Sequence, residues 1–294
     1  MRALVLSGGG SKGAYEVGVL KKWMAEDGVD YDLIAGISVG ALNAAVLCQA
    51  PKGSPKVAWG DLNRFWLDVD TSKVRKSWWP FGMASALWKP SVYNSEPLHK
   101  WVRSSLDVEK IRSSGRMLRI LAVSWDSGES RTVDETEMDI LSWVLASSAF
   151  PGMFLPVKVE GELWADGALR SVTPLGEAVR AGATEIDVIL CTDPRLPAPF
   201  KCAGKSALPD LALRAVNLLI NEVMRDDLKI CDLRNAHADY RKVTLRVLKP
   251  KIDLGTIAGD GLTFEPGAVR ELIELGYEDA CALGRGAPPT CTDK

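Results

Sequence analysis

The feature that most restricts this chain is the order of elements in its first fifty residues. Ala3-Leu4-Val5-Leu6-Ser7 reads as a buried strand and runs into the loop Gly8-Gly9-Gly10-Ser11-Lys12-Gly13. A helix follows with apolar positions at Val17, Leu20 and Met24. After it come a second strand over Leu33 to Ile37 and a helix of small residues, Val39 to Cys48. Consecutive strands joined by a helix must point the same way, so this opening predicts an α/β fold with a mostly parallel central sheet flanked by helices.

The second strand ends in Gly36-Ile37-Ser38-Val39-Gly40, a G-x-S-x-G set between strand and helix. A sharp turn there lifts the serine oxygen out of the sheet and leaves it at the positive end of the helix. Gly36 and Gly40 fit because side chains at those positions would collide with neighbouring backbone. The bland alternative is a tight turn with an incidental serine, and the flanking strand and helix favour the nucleophile. An α/β-hydrolase would place several strands ahead of the nucleophile strand and would need a late histidine. Here one strand precedes it. The only histidines, His99 and His237, read as surface or half-buried imidazoles, so the base must be another group.

The glycine loop also fits the dinucleotide pattern G-x-G-x-x-G, but the second strand ends in Ser38 instead of the acid that such a site requires. It is not a phosphate-binding Walker loop either, since Lys12 lacks a following Ser or Thr. In a parallel sheet the loop after strand one and the turn after strand two emerge at the same edge. The loop's backbone N–H groups could then hold a developing oxyanion, a role worth about 3 kcal/mol per donor. Further on, Asp166-Gly167-Ala168 follows a hairpin predicted around Glu160-Gly161. Alone, it would be read as a turn.

Together these pieces resemble the patatin-like phospholipase family: the glycine loop, the Ser38 elbow and Asp166-Gly167-Ala168, in that order. The segment Ala146-Ser147-Ser148-Ala149-Phe150-Pro151 also looks like the family's serine-to-proline motif, and the match spans about the first 190 residues. The resemblance implies a three-layer sandwich and a Ser38–Asp166 dyad without histidine. It also implies an oxyanion loop over Gly8, Gly9, Gly10, Ser11, Lys12 and Gly13, with Gly9 and Gly10 as the main donors and Lys12 at the basic position. Hydrolysis of lipid or phospholipid esters without calcium or any other cofactor follows. Ser7 departs from plant patatins, which carry aspartate there. An acyltransferase using the same serine, a small-ester esterase and an inactive binding protein are the competing readings.

The rest of the chain sets limits. A net charge of -2 argues against nucleic acid as a partner. No 18-residue apolar run is present, and Met1-Arg2 followed directly by the first strand does not read as a signal peptide. None of the six cysteines forms CxxC, which favours a reducing, cytoplasmic setting without metal, with peripheral membrane contact as the expected link to lipid. Residues 1–294 read as a single domain, a core to about 190 completed by a proline-rich lid loop and C-terminal helices. Pro51 to Trp101 reads as largely irregular, apart from a short helix that Ala58 to Leu67 can form, and holds six of the ten tryptophans. Trp59, Trp66 and Trp101 read as core. Trp78, Trp79 and Phe81, with Lys73, Arg75, Lys76 and Lys89 around them, are the candidate lipid interface.

Overall fold

The computed structural model describes residues 1–78, 91–193, 208–237, 239–258 and 261–283. The chain opens with β1 (Arg2–Leu6), a 3-10 turn at Gly10–Gly13 and α1 (Ala14–Leu20), whose continuation Lys21–Glu26 widens to π geometry. It goes on through β2 (Leu33–Gly36), α2 (Val39–Leu47), α3 (Pro55–Asp68), α4 (Thr71–Val74), α5 (Glu96–Ser105) and α6 (Val108–Ser113). Then come β3 (Met117–Ser124), β4 (Ser130–Val133), α7 (Ile140–Ser147), β5 (Val157–Val159), β6 (Glu162–Asp166) and α8 (Leu175–Arg180). The last elements are β7 (Glu185–Ile189), α9 (Leu208–Ala236), β8 (Thr244–Leu248), α10 (Gly255–Ala258) and α11 (Pro266–Leu283).

Among the described residues the strands form one sheet of eight, hydrogen-bonded in the succession β5-β6-β3-β2-β1-β7-β8, with β4 also pairing β3. The strands β3, β2, β1, β7 and β8 run parallel, and β4, β5 and β6 pair antiparallel. Because side chains alternate across a strand, Leu4 and Leu6 enter one apolar cluster and Ala3 and Val5 the other. The first cluster is built with α1, α2, α3, α5, α7 and α11, the second with α8 and α9. A sheet covered on both faces explains why β1 is apolar at nearly every position. The fold is the three-layer α/β sandwich expected.

Two registers position the site. Leu6 lies opposite Gly36 in the parallel β1–β2 pair, so the glycine loop and the Ser38 turn leave the sheet side by side. β4 pairs with Ile120–Val123 of β3, while β2 pairs with Met117–Ile120 and β6 with Ala122–Ser124. A strand has two edges, so β2 and β6 must share the one opposite β4, end to end. β6 runs antiparallel toward the end of β2, and its last residue, Asp166, arrives beside the elbow.

The stretch from Pro51 to Trp101 is more regular than expected, and the short helix read at Ala58 to Leu67 is the body of α3. The stretch contains α3 and α5, and each has a proline in its first turn, Pro55 and Pro97. Proline there supplies a φ already suited to the helix and gives up an N–H that would have no partner, so these prolines start helices. The β5–β6 turn follows expectation, with Glu160 and Gly161 both at positive φ (52° and 91°), the geometry of a tight hairpin.

Candidate active site

Ser38 is the N-cap of α2 and has φ 57° and ψ −126°, a conformation that costs a non-glycine residue roughly 1–3 kcal/mol. The surroundings impose it. A Cβ on Gly36 would stand 2.1 Å from the Gly40 carbonyl oxygen, and one on Gly40 would stand 2.4 Å from that of Leu6. Two serines at the end of α7 hold the turn from the other side. Ser147 Oγ accepts the Ser38 N–H at 3.1 Å and donates to the Leu121 carbonyl at 2.8 Å. Ser148 Oγ lies 3.1 Å from the Ser38 carbonyl oxygen and 2.9 Å from that of Val144, and its single proton serves these two acceptors.

Asp166 is fully buried. Its N–H donates to the Ala149 carbonyl at 3.1 Å, and its Oδ1 accepts the Ala168 N–H at 2.9 Å. Burial pushes its carboxyl up to about 7, against the opposing pull of the Ala168 N–H and the Ser38 hydroxyl. The hydroxyl is thus near enough to favour the charged form, yet no donor completes a hydrogen bond to the buried Oδ2. Hydrogen bonds between candidate catalytic groups are often long before substrate binds. Gly167 is buried beneath this turn, where a Cβ would meet the Leu121 carbonyl oxygen at 2.4 Å.

In the glycine loop, Gly8 donates its N–H to the Val172 carbonyl at 3.3 Å, Ser11 to Gly261 at 2.7 Å and Lys12 to Gly9 at 3.3 Å. Gly10 has φ +59°, and a Cβ there would sit 2.0 Å from the Gly261 carbonyl oxygen. Gly13 is buried and its carbonyl accepts from Asn43 Nδ2 at 3.2 Å. The N–H groups of Gly9 and Gly10 have no acceptor among the described residues. Gly8 abuts Ser38, its Cβ position lying 3.3 Å from Ser38 Cβ.

The family model described as Patatin-like phospholipase matches residues 4–179. The chain belongs to this family of lipid hydrolases. It is 28% identical over 190 residues to YjjU of Escherichia coli K12, covering 64% of this chain and 51% of that protein. It is 27% identical over 226 residues to the triacylglycerol lipase ptl2 of Schizosaccharomyces pombe, covering 67% of this chain and 34% of the lipase. The chain therefore spans about half the length of the first relative and a third of the second. Among solved structures, VipD from Legionella pneumophila aligns with a TM-score of 0.44 at 14% identity, over 96% of this chain and 66% of that one.

The patatin-like chain encloses a cavity of about 390 Å³ that Ser38, Gly8, Gly9 and Gly10 line. Leu42, Phe65, Trp66, Leu98, Trp101 and Phe154 form an apolar wall, and Lys12, Arg214, Asn217, Asn221 and Asp253 also face the space. Trp66 and Trp101 are core residues, as expected of them, and they also line this wall. Trp59 is half-buried against the same cluster. Trp78 is half-buried and donates its indole N–H to the Ser91 carbonyl at 3.0 Å. Trp79 and Phe81 lie outside the described residues. Neither histidine lines the cavity: His99 contacts Ser95 Oγ at 3.4 Å, and His237 lies exposed beside Asp239. Among the described residues no helix is long and apolar enough to cross a membrane.

Two buried polar residues near the site carry no motif. Glu16 Oε2 accepts from Asn43 Nδ2 at 2.7 Å, and Cys191 Sγ contacts Glu16 Oε1 at 3.4 Å. Asn43 Oδ1 in turn accepts the Trp66 indole N–H at 2.7 Å. Cys191 packs against the glycine loop, leaving no room for a Cβ on Gly9, so Glu16 lies behind the oxyanion candidates. Burial pushes its carboxyl up to about 8, against the pull of its hydrogen bonds to Asn43, Cys191 and Ser7. The sequence signal for both residues is a lone polar side chain in an otherwise apolar helix: Glu16 in AYEVGVL and Asn43 in VGALNAAVL.

Proposed function

We propose that the chain hydrolyses fatty acyl esters of lipids through a Ser38–Asp166 dyad and an acyl-enzyme. The observation that carries this reading is the buried Asp166 carboxylate, its Oδ2 unpaired beside a serine held at positive φ on the cavity wall. A base poised near 7 suits proton removal at neutral pH. Asp166 takes the Ser38 proton as Oγ bonds to the ester carbonyl carbon, and the C=O electron pair moves onto oxygen. The Gly9 and Gly10 N–H groups stabilise that oxyanion. Its collapse breaks the ester C–O bond, and the departing alkoxide takes the proton from Asp166. Water then attacks the acyl-enzyme, giving its proton to Asp166, and Ser38 recovers a proton as the fatty acid leaves.

The apolar wall supports an acyl chain as the occupant of the cavity. The printed name of the fission yeast relative, a triacylglycerol lipase, points to the same bond type. The test is hydrolysis of a lipid panel with product mass spectrometry on wild type and Ser38→Ala. Free fatty acid from wild type alone supports the reading. Equal release by both proteins removes Ser38 from the chemistry.

A further inference from the structure

Asp227 lies on α9, outside residues 4–179 that carry the family match. Its Oδ2 accepts three hydrogen bonds from consecutive residues: Ser171 Oγ at 3.0 Å, Val172 N at 3.0 Å and Thr173 N at 2.9 Å. These residues belong to the segment leaving Asp166-Gly167-Ala168. The carbonyl of Val172 accepts the Gly8 N–H at 3.3 Å. The Val172 carbonyl and the Thr173 N–H are the two ends of one peptide group, and a planar trans peptide points them in opposite directions. That peptide is therefore held at both ends, by an α9 carboxylate and by the first residue of the glycine loop. If the carboxylate were removed, the peptide would be free to rotate and Gly8 would lose its acceptor. Gly8 is also where the loop touches Ser38, so its placement sets the direction of the next two N–H groups.

We propose that Asp227 is a positioning residue of the acyl-transfer site: by clamping the Thr173 N–H it presents the Val172 carbonyl to Gly8 and aims Gly9 and Gly10 at the reacting oxygen. The inference rests on the Ser38–Asp166 reading. Burial pushes the Asp227 carboxyl up to about 6 against the pull of Thr173, Ser171 and Val172, so it is largely ionised at neutral pH and suited to three donors.

The test compares Asp227→Ala and Asp227→Asn with wild type on a soluble 4-nitrophenyl ester, alongside the rate of fluorophosphonate labelling at Ser38. Asp227→Ala should lower kcat and the labelling rate on the order of 30-fold with KM nearly unchanged, the signature of a misplaced transition-state contact. Asp227→Asn keeps a carbonyl oxygen for the same donors and should retain kcat to within about threefold. Hydrogen exchange at residues 7–13 should rise in the alanine variant and not in the asparagine variant. Wild-type kcat in a folded Asp227→Ala, or an asparagine variant as slow as the alanine one, overturns the proposal. Should Asp227→Ala not fold, Asp227→Leu takes its place: it fills a similar volume but offers no acceptor to Thr173 N–H, and a wild-type kcat there overturns the proposal equally. A wild type inert toward both ester and probe would instead sink the Ser38–Asp166 reading.

Discussion

The segment before residue 180 and the segment after it contribute to the same cavity in different ways. The first holds the strained elbow, the buried aspartate, the glycine loop and most of the apolar wall. Its determinants are backbone conformations, and these need particular residues: glycine where a Cβ would strike a carbonyl, serine at a capped turn. The second segment adds α9 along the cavity and Asp227 as a clamp. Its side chains meet the site across the space between helix and loop, at separations in sequence of 54 to 56 residues for Asp227. Chemistry built from local backbone geometry leaves a readable motif, whereas support built from distant side chains leaves none.

The largest effects expected fall on the first segment. Ser38→Ala and Asp166→Asn should each lower kcat by about a thousandfold or more with the fold retained, as removal of a nucleophile or its base does. The check is steady-state kinetics with circular dichroism, and a fluorophosphonate adduct on Ser38 in wild type. His99→Ala and His237→Ala should stay near wild type. If either were as inactive as Ser38→Ala, a triad would replace the dyad. Gly10→Ala comes next. Its φ of +59° and the Gly261 carbonyl oxygen 2.0 Å from the added Cβ mean that the loop must move. A displacement of that kind predicts a kcat loss on the order of a hundredfold. A fully active Gly10→Ala would show that the oxyanion donors lie elsewhere.

The same contrast explains what could be read in advance. The parallel sheet, the joint exit of the Gly8 loop and the Ser38 turn, and the Glu160-Gly161 hairpin follow from short apolar runs alternating with helices and from turn chemistry, which are local. The start of α3 and the whole of α5 are hidden by Pro55 and Pro97, since proline marks a helix start and a break with the same letter. Asp166 was visible only through its neighbours Gly167 and Ala168. What suits it to the proposed role of base is burial and the shared edge of β3, and neither is written in a turn-like Asp-Gly pair. Glu16 and Asp227 take their roles from desolvation and from partners on other elements.

A smaller effect concerns pH. Activity should rise as Asp166 ionises near 7, because the base must be unprotonated to accept from Ser38. It should decline again near 8, where Glu16 loses its proton and places a negative charge behind the oxyanion loop. The groups facing Glu16 are Asn43 from α2, Ser7 after β1 and Cys191 after β7, with Lys12 acting on Cys191 from the loop. Glu16→Gln should keep the rise and flatten the decline. Stability carries the matching sign. The folded state holds a proton on Glu16 between its ordinary 4.5 and about 8, which the unfolded chain releases, so stability falls as pH rises through that window. A melting temperature of Glu16→Gln that depends on pH as strongly as wild type would show that Glu16 is not the group responsible.

The smallest effect tests the second segment directly. Asn217 and Asn221 lie four residues apart on α9, one helical turn, and both face the cavity; among the described residues neither hydrogen-bonds Ser38 or the glycine loop. Side chains so placed can bind the part of a substrate that does not react, an interaction equal in ground and transition states. Losing it raises KM and leaves kcat alone. Each net hydrogen bond is worth about 0.5–1.5 kcal/mol, so Asn217→Ala and Asn221→Ala should each raise KM roughly 2- to 13-fold on a lipid substrate. The same pair should barely change KM for a short 4-nitrophenyl ester, which lacks the remote part of a lipid that these amides would bind. A fall in kcat at constant KM would move α9 into the transition state, and the division between a chemical segment and a binding segment would fail.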